Sequence, residues 1–169
     1  MFIVPPSDSP LTQGDILDEC PLVGLNATEP PSDLRTIPGK RWFARIIVLT
    51  QACDLAQAKS GRVLVAQVHD AQKLVDEGVL KGTAIRDQMR RHLVYGWYFM
   101  PAVTAPLLMP ESLIDLREVH SVPRVVLEQL VGGGKRVASL ISPYREHLAQ
   151  HFAVTYMRVA LPEPYSTQP

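Results

Sequence analysis

The chain has 169 residues, and seventeen Lys and Arg balance seventeen Asp and Glu for a formal net charge of +0 at pH 7. That length suits one domain spanning 1–169, able to remove roughly 70% of its unfolded surface from water, and the balanced charge excludes a global field toward nucleic acid or membrane, leaving only local patches. No stretch approaches the ~18 consecutive apolar residues of a bilayer crossing, and MFIVPPSDSP has no basic n-region, so a soluble cytoplasmic protein with no membrane partner is expected.

Residues 1–12 and 161–169 are rich in Pro and Ser and read as loose tails, and NATEPPSDLRTIPGK reads as a loop between Leu25 and Arg41, because Pro lacks the amide that a ladder needs. Between them, strands are expected at 15–17, 42–50, 62–68, 93–100, 113–121 and 136–141, each a short β-branched or aromatic run bounded by Gly, Pro or Asp. Their spacing predicts a mainly β domain, a small barrel with helical additions. Period-2 patterning is lost over 69–92, where HDAQKLVDE and TAIRDQMRR flank Gly78 and Gly82; this predicts an inserted helical segment whose Arg86, Arg90 and Arg91, next to His92, form the one local basic cluster. PRVVLEQL predicts a short helix, and GGGK after it is a turn, since it lacks both the phosphate-loop spacing and a following helix. SPYREHLAQHFAVTYMRV predicts a C-terminal helix with Ser142 as N-cap and Pro143 at the first helical position. Tyr144, Leu148, Phe152 and Tyr156 fall four apart and predict the stripe that packs on the barrel.

RIIVLTQACDL ends a buried strand in a hydroxyl, an amide, a thiol and a carboxylate. Pairing 42–50 with 62–68 as a hairpin sets Thr50 near Arg62 and Arg45 opposite Gln67 to His69. Arg45 and Cys53 are then up to ~26 Å apart at ~3.3 Å per residue, so the two ends of the hairpin are rival sites. At one end, Cys53 is open to three readings. It is a small buried hydrophobe beside a turn capped by Asp54, with Gln51 bonding loop amides; or a nucleophile in a catalytic site with Asp54 and with His120 as activating partner, Arg117 nearby; or part of a binding site. With no secretory signal, Cys20 and Cys53 are expected as reduced thiols. His147 and His151 stand at i and i+4, a spacing that suits a metal, but no third ligand is evident, and a polar helix flank is the simpler reading. No metal or cofactor is expected.

GDIL at Gly14 to Leu17, RIIVLT at Arg45 to Thr50, RVLVAQV at Arg62 to Val68 and SLIDLREVHSVPRVVL at Ser112 to Leu127 together resemble, over about half the chain, the MazF/PemK/Kid family. These are SH3-like small barrels best known as endoribonuclease toxins of toxin and antitoxin pairs. The resemblance implies an SH3-like barrel, a single-stranded RNA substrate and the family's catalytic arginine at Arg45. The family's catalytic threonine falls at His69, where a histidine next to Asp70 still suits proton transfer. A basic RNA groove would have to come from Arg86, Arg90, Arg91 and His92. A homodimer is a further expectation. TQACDL is similar to a strand end in prokaryotic proteins associated with mobile elements. The alternative expectation is therefore a non-enzymatic module that binds a protein partner in a mobile-element or defence operon.

Overall fold

The β-branched runs of the chain make seven antiparallel strands, and in this computed structural model, which describes residues 1–25, 33–104, 107 and 109–157, they form a single sheet. The strands are β1 (Phe2–Ile3), β2 (Asp15–Leu25), β3 (Gly39–Val48), β4 (Arg62–Asp70), β5 (Trp97–Met100), β6 (Ser112–Pro123) and β7 (Arg136–Leu140). Their order across the sheet is β1-β7-β2-β3-β4-β6-β5. The helices are α1 (Ala52–Ala56), α2 (Ala71–Asp76), α3 (Gly82–Asp87), α4 (Arg124–Gly132) and α5 (Tyr144–Tyr156), and 3-10 turns stand at Leu34–Thr36, between β2 and β3, and at Met89–Arg91, between α3 and β5. The domain is mainly β, but β1 and β5 do not pair with one another and leave two edges. The sheet is open, which corrects the expectation of a closed barrel.

Alternation along the strands gives the sheet two apolar faces. Ile16, Ile47, Tyr98, Ile114 and Leu116 pack on one face with Leu148 of α5. On the other, Leu17, Ile46, Val48, Val63 and Val65 pack with Leu55 of α1 and Leu127 of α4. Trp97, Phe99 and Leu113 pack with Ala71 and Leu74 of α2, Ile85 of α3 and Met89. Each fully buried Leu contributes about 1.5–3 kcal/mol through the area it removes from water.

The central hairpin forms in the expected register but over three rungs only, with Ile46 opposite Gln67, Ile47 opposite Ala66 and Val48 opposite Val65, while Trp42 to Ala44 pair with β2 instead. The turn at GGGK and the helix before it are also as expected. Several expectations need correction. β2 continues eight residues past Leu17, because a bulge between Leu17 and Cys20, with Glu19 at φ 56, absorbs the charged pair that seemed to end it. Past that bulge β2 pairs with β3 alone, so Pro21 needs no second ladder. Residues 1–12 are not a loose tail: Phe2 and Ile3 pair with Leu140 and Ser139, and Leu11 is buried. The Arg136 guanidinium donates to the Pro6 and Ser9 carbonyls, tying the segment down. Residues 26–32 and 161–169 lie outside the described residues.

The strand expected at 93–100 begins only at Trp97, after Gly96 at φ 90. His69 and Asp70 belong to β4, not to a helix, and the Asp70 carboxylate caps α2 by accepting from the Gln72 and Lys73 amides at 2.8 and 3.3 Å. The expected second helix is α3 plus the 3-10 turn. α5 starts one residue later than expected, with Pro143 at the N-cap after a cis Ser142–Pro143 bond. Of its expected stripe only Leu148 is buried; Phe152 is half-buried, and Tyr144 and Tyr156 are exposed. The second buried residue of α5 is His151, which corrects its reading as a polar flank.

Candidate functional site

β3 and β4 share three rungs, and before Ile46 β3 leaves β4 to run with β2 alone. The divergence opens a cleft of about 240 Å³ lined by Phe43, Arg45, Gln67, His69, Asp70, Lys73 and Glu77. Arg45, just beyond the last paired rung of β3, and His69, near the end of β4, therefore both line one space. Arg45 donates from Nε to Asp18 Oδ1 at 2.5 Å and from Nη2 to Asp18 Oδ2 at 2.9 Å. Asp18 stands in the β2 bulge, which aims its carboxylate at the fork. That hydrogen-bonded pair holds the Arg45 pKa above its ordinary value. Nη1 makes no hydrogen bond to the described residues, so a bidentate grip on one side orients a free donor edge on the other.

His69 lies edge-on to Trp97, ring centroids 6.1 Å apart. Burial pushes its pKa below the usual histidine value, Asp115 opposes the shift and Arg117 adds to it. At neutral pH the imidazole is therefore uncharged, the form that accepts a proton. Arg117 forks onto Asp115 at 2.9 and 2.7 Å and lies 4.3 Å from the Trp97 ring centroid, so the wall behind His69 is fixed by a stacked guanidinium. Asp70 follows His69 in sequence but spends its carboxylate on the start of α2. At the mouth, Phe43 is 62% exposed and its ring lies 5.3 Å from the Arg41 guanidinium.

TQACDL is not a buried polar cluster. Thr50 Oγ1 accepts from the Leu64 amide at 2.8 Å and closes the hairpin, and Leu55 plugs the core as the buried residue of α1. Cys53 is exposed, against its reading as a buried hydrophobe, and its Sγ reaches Gln51 Oε1 at 3.6 Å and Asp54 Oδ1 at 3.9 Å. Asp54 accepts from Lys59 Nζ at 3.1 Å. His120 lies edge-on to Trp42 at 5.6 Å and 3.7 Å from Glu118 Oε1, sharing no hydrogen bond or ring contact with Cys53. Arg86, Arg90 and Arg91 are exposed, but Arg90 is engaged by Glu111 at 2.5 Å and by the Phe99 ring at 5.6 Å.

A second cluster unites residues that the sequence kept apart. His92, Tyr98, His147 and His151 bring their rings within 4.5–6.3 Å of one another. The i,i+4 histidines of α5 were a visible half of it; no local signal linked them to His92, more than fifty positions earlier. Among the described residues no group of three or more His, Cys, Asp or Glu side chains is arranged to hold a metal ion, and no helix is long and apolar enough to cross a membrane. The sequence matches no protein-family model and no curated protein, so its chemistry must be argued from these residues.

Proposed function

We propose that the β3–β4 cleft binds single-stranded RNA and cleaves it, in the manner of a MazF/PemK-like endoribonuclease of a prokaryotic toxin or defence system acting in the cytoplasm. One observation carries the reading: Arg45 and His69 line the same cleft, with the exposed Phe43 ring at its mouth. Aromatic platforms beside basic side chains suit single-stranded nucleic acid, because any base stacks on a ring while the backbone tracks the charge. Arg45 presents Nη1 to the phosphate and stabilises the charge that builds on it. Neutral His69 takes the proton from the ribose 2′-OH, whose oxygen attacks the adjacent phosphorus. The 5′-oxygen leaves with a proton from water, and a 2′,3′-cyclic phosphate remains. The consecutive placement of β2, β3, β4 and β6, the four strands that bear the resemblance, supports kinship with the SH3-like family, the present sheet being an opened relative of it.

The test uses the full chain with end-labelled single-stranded RNA. His69→Ala should lower cleavage by about 10²–10⁴-fold, the usual range for a positioned proton-transfer group. Arg45→Ala should weaken both cleavage and binding. Parent activity should fall as pH drops below neutrality and His69 takes up a proton. A His69→Ala protein that cleaves at the parent rate refutes the assignment. The second reading, a module that binds a protein without cutting anything, is favoured by Asp70 and Glu77, which share the cleft with Arg45 and Lys73 and suit a segment of mixed charge. It predicts no cleavage by any of these proteins.

A further inference from the structure

We propose that the cluster of His92, Tyr98, His147 and His151 is a proton-sensitive latch that holds α5 on the sheet at neutral pH and releases it on acidification. The apolar grip of α5 is small. Leu148, 1% exposed, is its one buried hydrophobic residue, and its other buried residue is His151, 6% exposed. The remaining attachments are polar or aromatic. Tyr156 donates its hydroxyl to the Leu116 carbonyl at 2.7 Å, the Gly96 amide donates to Thr155 Oγ1 at 3.3 Å, and the Tyr98 hydroxyl lies 3.1 Å from His147 Nδ1.

His92 is carried to the cluster by an unusual backbone. It ends the 3-10 turn Met89–Arg91 in the left-handed region at φ 53, which brings its ring to 4.5 Å from Tyr98, 4.9 Å from His147 and 5.9 Å from His151. Tyr95, from the segment before β5, adds a ring 5.8 Å from His151. His92 Nδ1 and His151 Nε2 are both buried with no hydrogen-bond partner. These nitrogens are tolerable on uncharged rings packed as aromatics; a charged ring needs solvent or an acceptor there.

The surroundings offer no compensating charge. Among the described residues no hydrogen bond or ion pair joins any of the three rings to a carboxylate. On α5, Arg145 and Glu146 pair with each other; on β6, Asp115 is held by Arg117; next to His92, Arg90 is held by Glu111, and Arg91 adds only positive charge. Burial, then the neighbouring His147 and His151, depress the His92 pKa to about 4, and burial lowers that of His151 while backbone hydrogen bonding at Val94 and Trp97 works the other way. The sign follows from the lowered values. A histidine in solvent charges near pH ~6.5, so the chain with α5 released binds protons that the docked chain refuses, and docking weakens from about pH 6.5 down toward pH 4. Above neutrality the latch is fully closed.

The experiment follows backbone amide exchange of the full chain between pH 7.5 and 4.5, with each rate corrected for the intrinsic pH dependence of exchange. Protection of the α5 amides should drop at least tenfold relative to those of the β3–β4 hairpin. In the double variant His92→Asn and His151→Leu, in which Asn accepts the left-handed backbone and neither side chain titrates, α5 protection should be nearly independent of pH. Proton NMR of the parent's histidine rings adds a readout that does not depend on any variant. Constant relative protection in the parent, an undiminished pH response in the double variant, or His92 and His151 titrating near pH 6.5 in the docked chain would each overturn the latch. So would a rise in α5 protection on adding zinc chloride at neutral pH, which would make the cluster a metal site instead.

Discussion

Replacing Gly96 by Ala tests the wall behind the cleft. Gly96 adopts φ 90, and a Cβ built there would stand 2.7 Å from Arg117 Cγ and 3.2 Å from its Cδ. The left-handed backbone alone costs an alanine about 1–2 kcal/mol. To escape the contact, Arg117 must swing away, losing its stack on Trp97, about 0.5–1 kcal/mol, and its fork onto Asp115. That ion pair is worth only ~0.2–1 kcal/mol because the Arg117 side chain is half exposed, but Asp115 is 9% exposed and is left with a poorly satisfied carboxylate, a further ~1–3 kcal/mol. Stiffening of the unfolded chain returns ~0.4–1 kcal/mol, so the net loss should be about 2–6 kcal/mol. Gly78→Ala is the matched control, since Gly78 has φ 71 with nothing within 4 Å of the added carbon, and it should lose about 1 kcal/mol from backbone strain alone. Urea unfolding of both proteins, repeated in an Arg117→Ala background, measures the difference as a double-mutant cycle. Equal losses at positions 96 and 78, or a Gly96→Ala cost that Arg117→Ala does not relieve, would refute the steric argument.

Thiol reactivity should separate the two cysteines: exposed Cys53 is modified by a water-soluble reagent in the native protein, whereas Cys20, buried and with its pKa pushed up to about 11, reacts only after unfolding, so mass spectrometry should count one adduct before urea and two after. Leu148→Ala should cost about 2–4 kcal/mol by leaving a cavity between α5 and the sheet, and amide exchange should show the loss concentrated in α5; a uniform loss across the sheet would mean that the helix is not separately detachable.

The strands with uninterrupted β-branched runs, β3 and β4, were legible in the sequence together with their register, and so was the juxtaposition of Arg45 with His69, because period and hairpin pairing are local rules. What escaped was set by distant partners. β2 looked finished at Asp18, yet that residue and Glu19 form a bulge whose ionic partners, Arg45 and Lys135, come from two other strands' surroundings. β5 looked longer because Leu93 to Tyr95 are apolar or aromatic, while Gly96 in fact turns the chain before the ladder starts. The α5 stripe was misread for the same reason: which face of a weakly amphipathic helix is buried depends on what meets it, and Tyr98 and His92 meet His151. Cys53 looked like a site because polar residues crowd a strand end, but only Thr50 and Leu55 there have long-range partners.

The two ends of the sheet decide how another protein can meet it. β1 has two residues and is followed, after Val4, by Pro5 and Pro6; β5 has four, all buried, and Pro101 follows directly. A strand arriving at either margin would find two to four rungs and then a proline with no amide to offer, too short a template for adding strand to strand. Growth by edge pairing at these two margins is thereby discouraged. The longer free edges lie elsewhere, on the outer sides of the β2–β3 ribbon, where Cys20–Leu25 and Gly39–Ala44 pair only with each other, so a strand that extends the ladder would have to add there and not at β1 or β5.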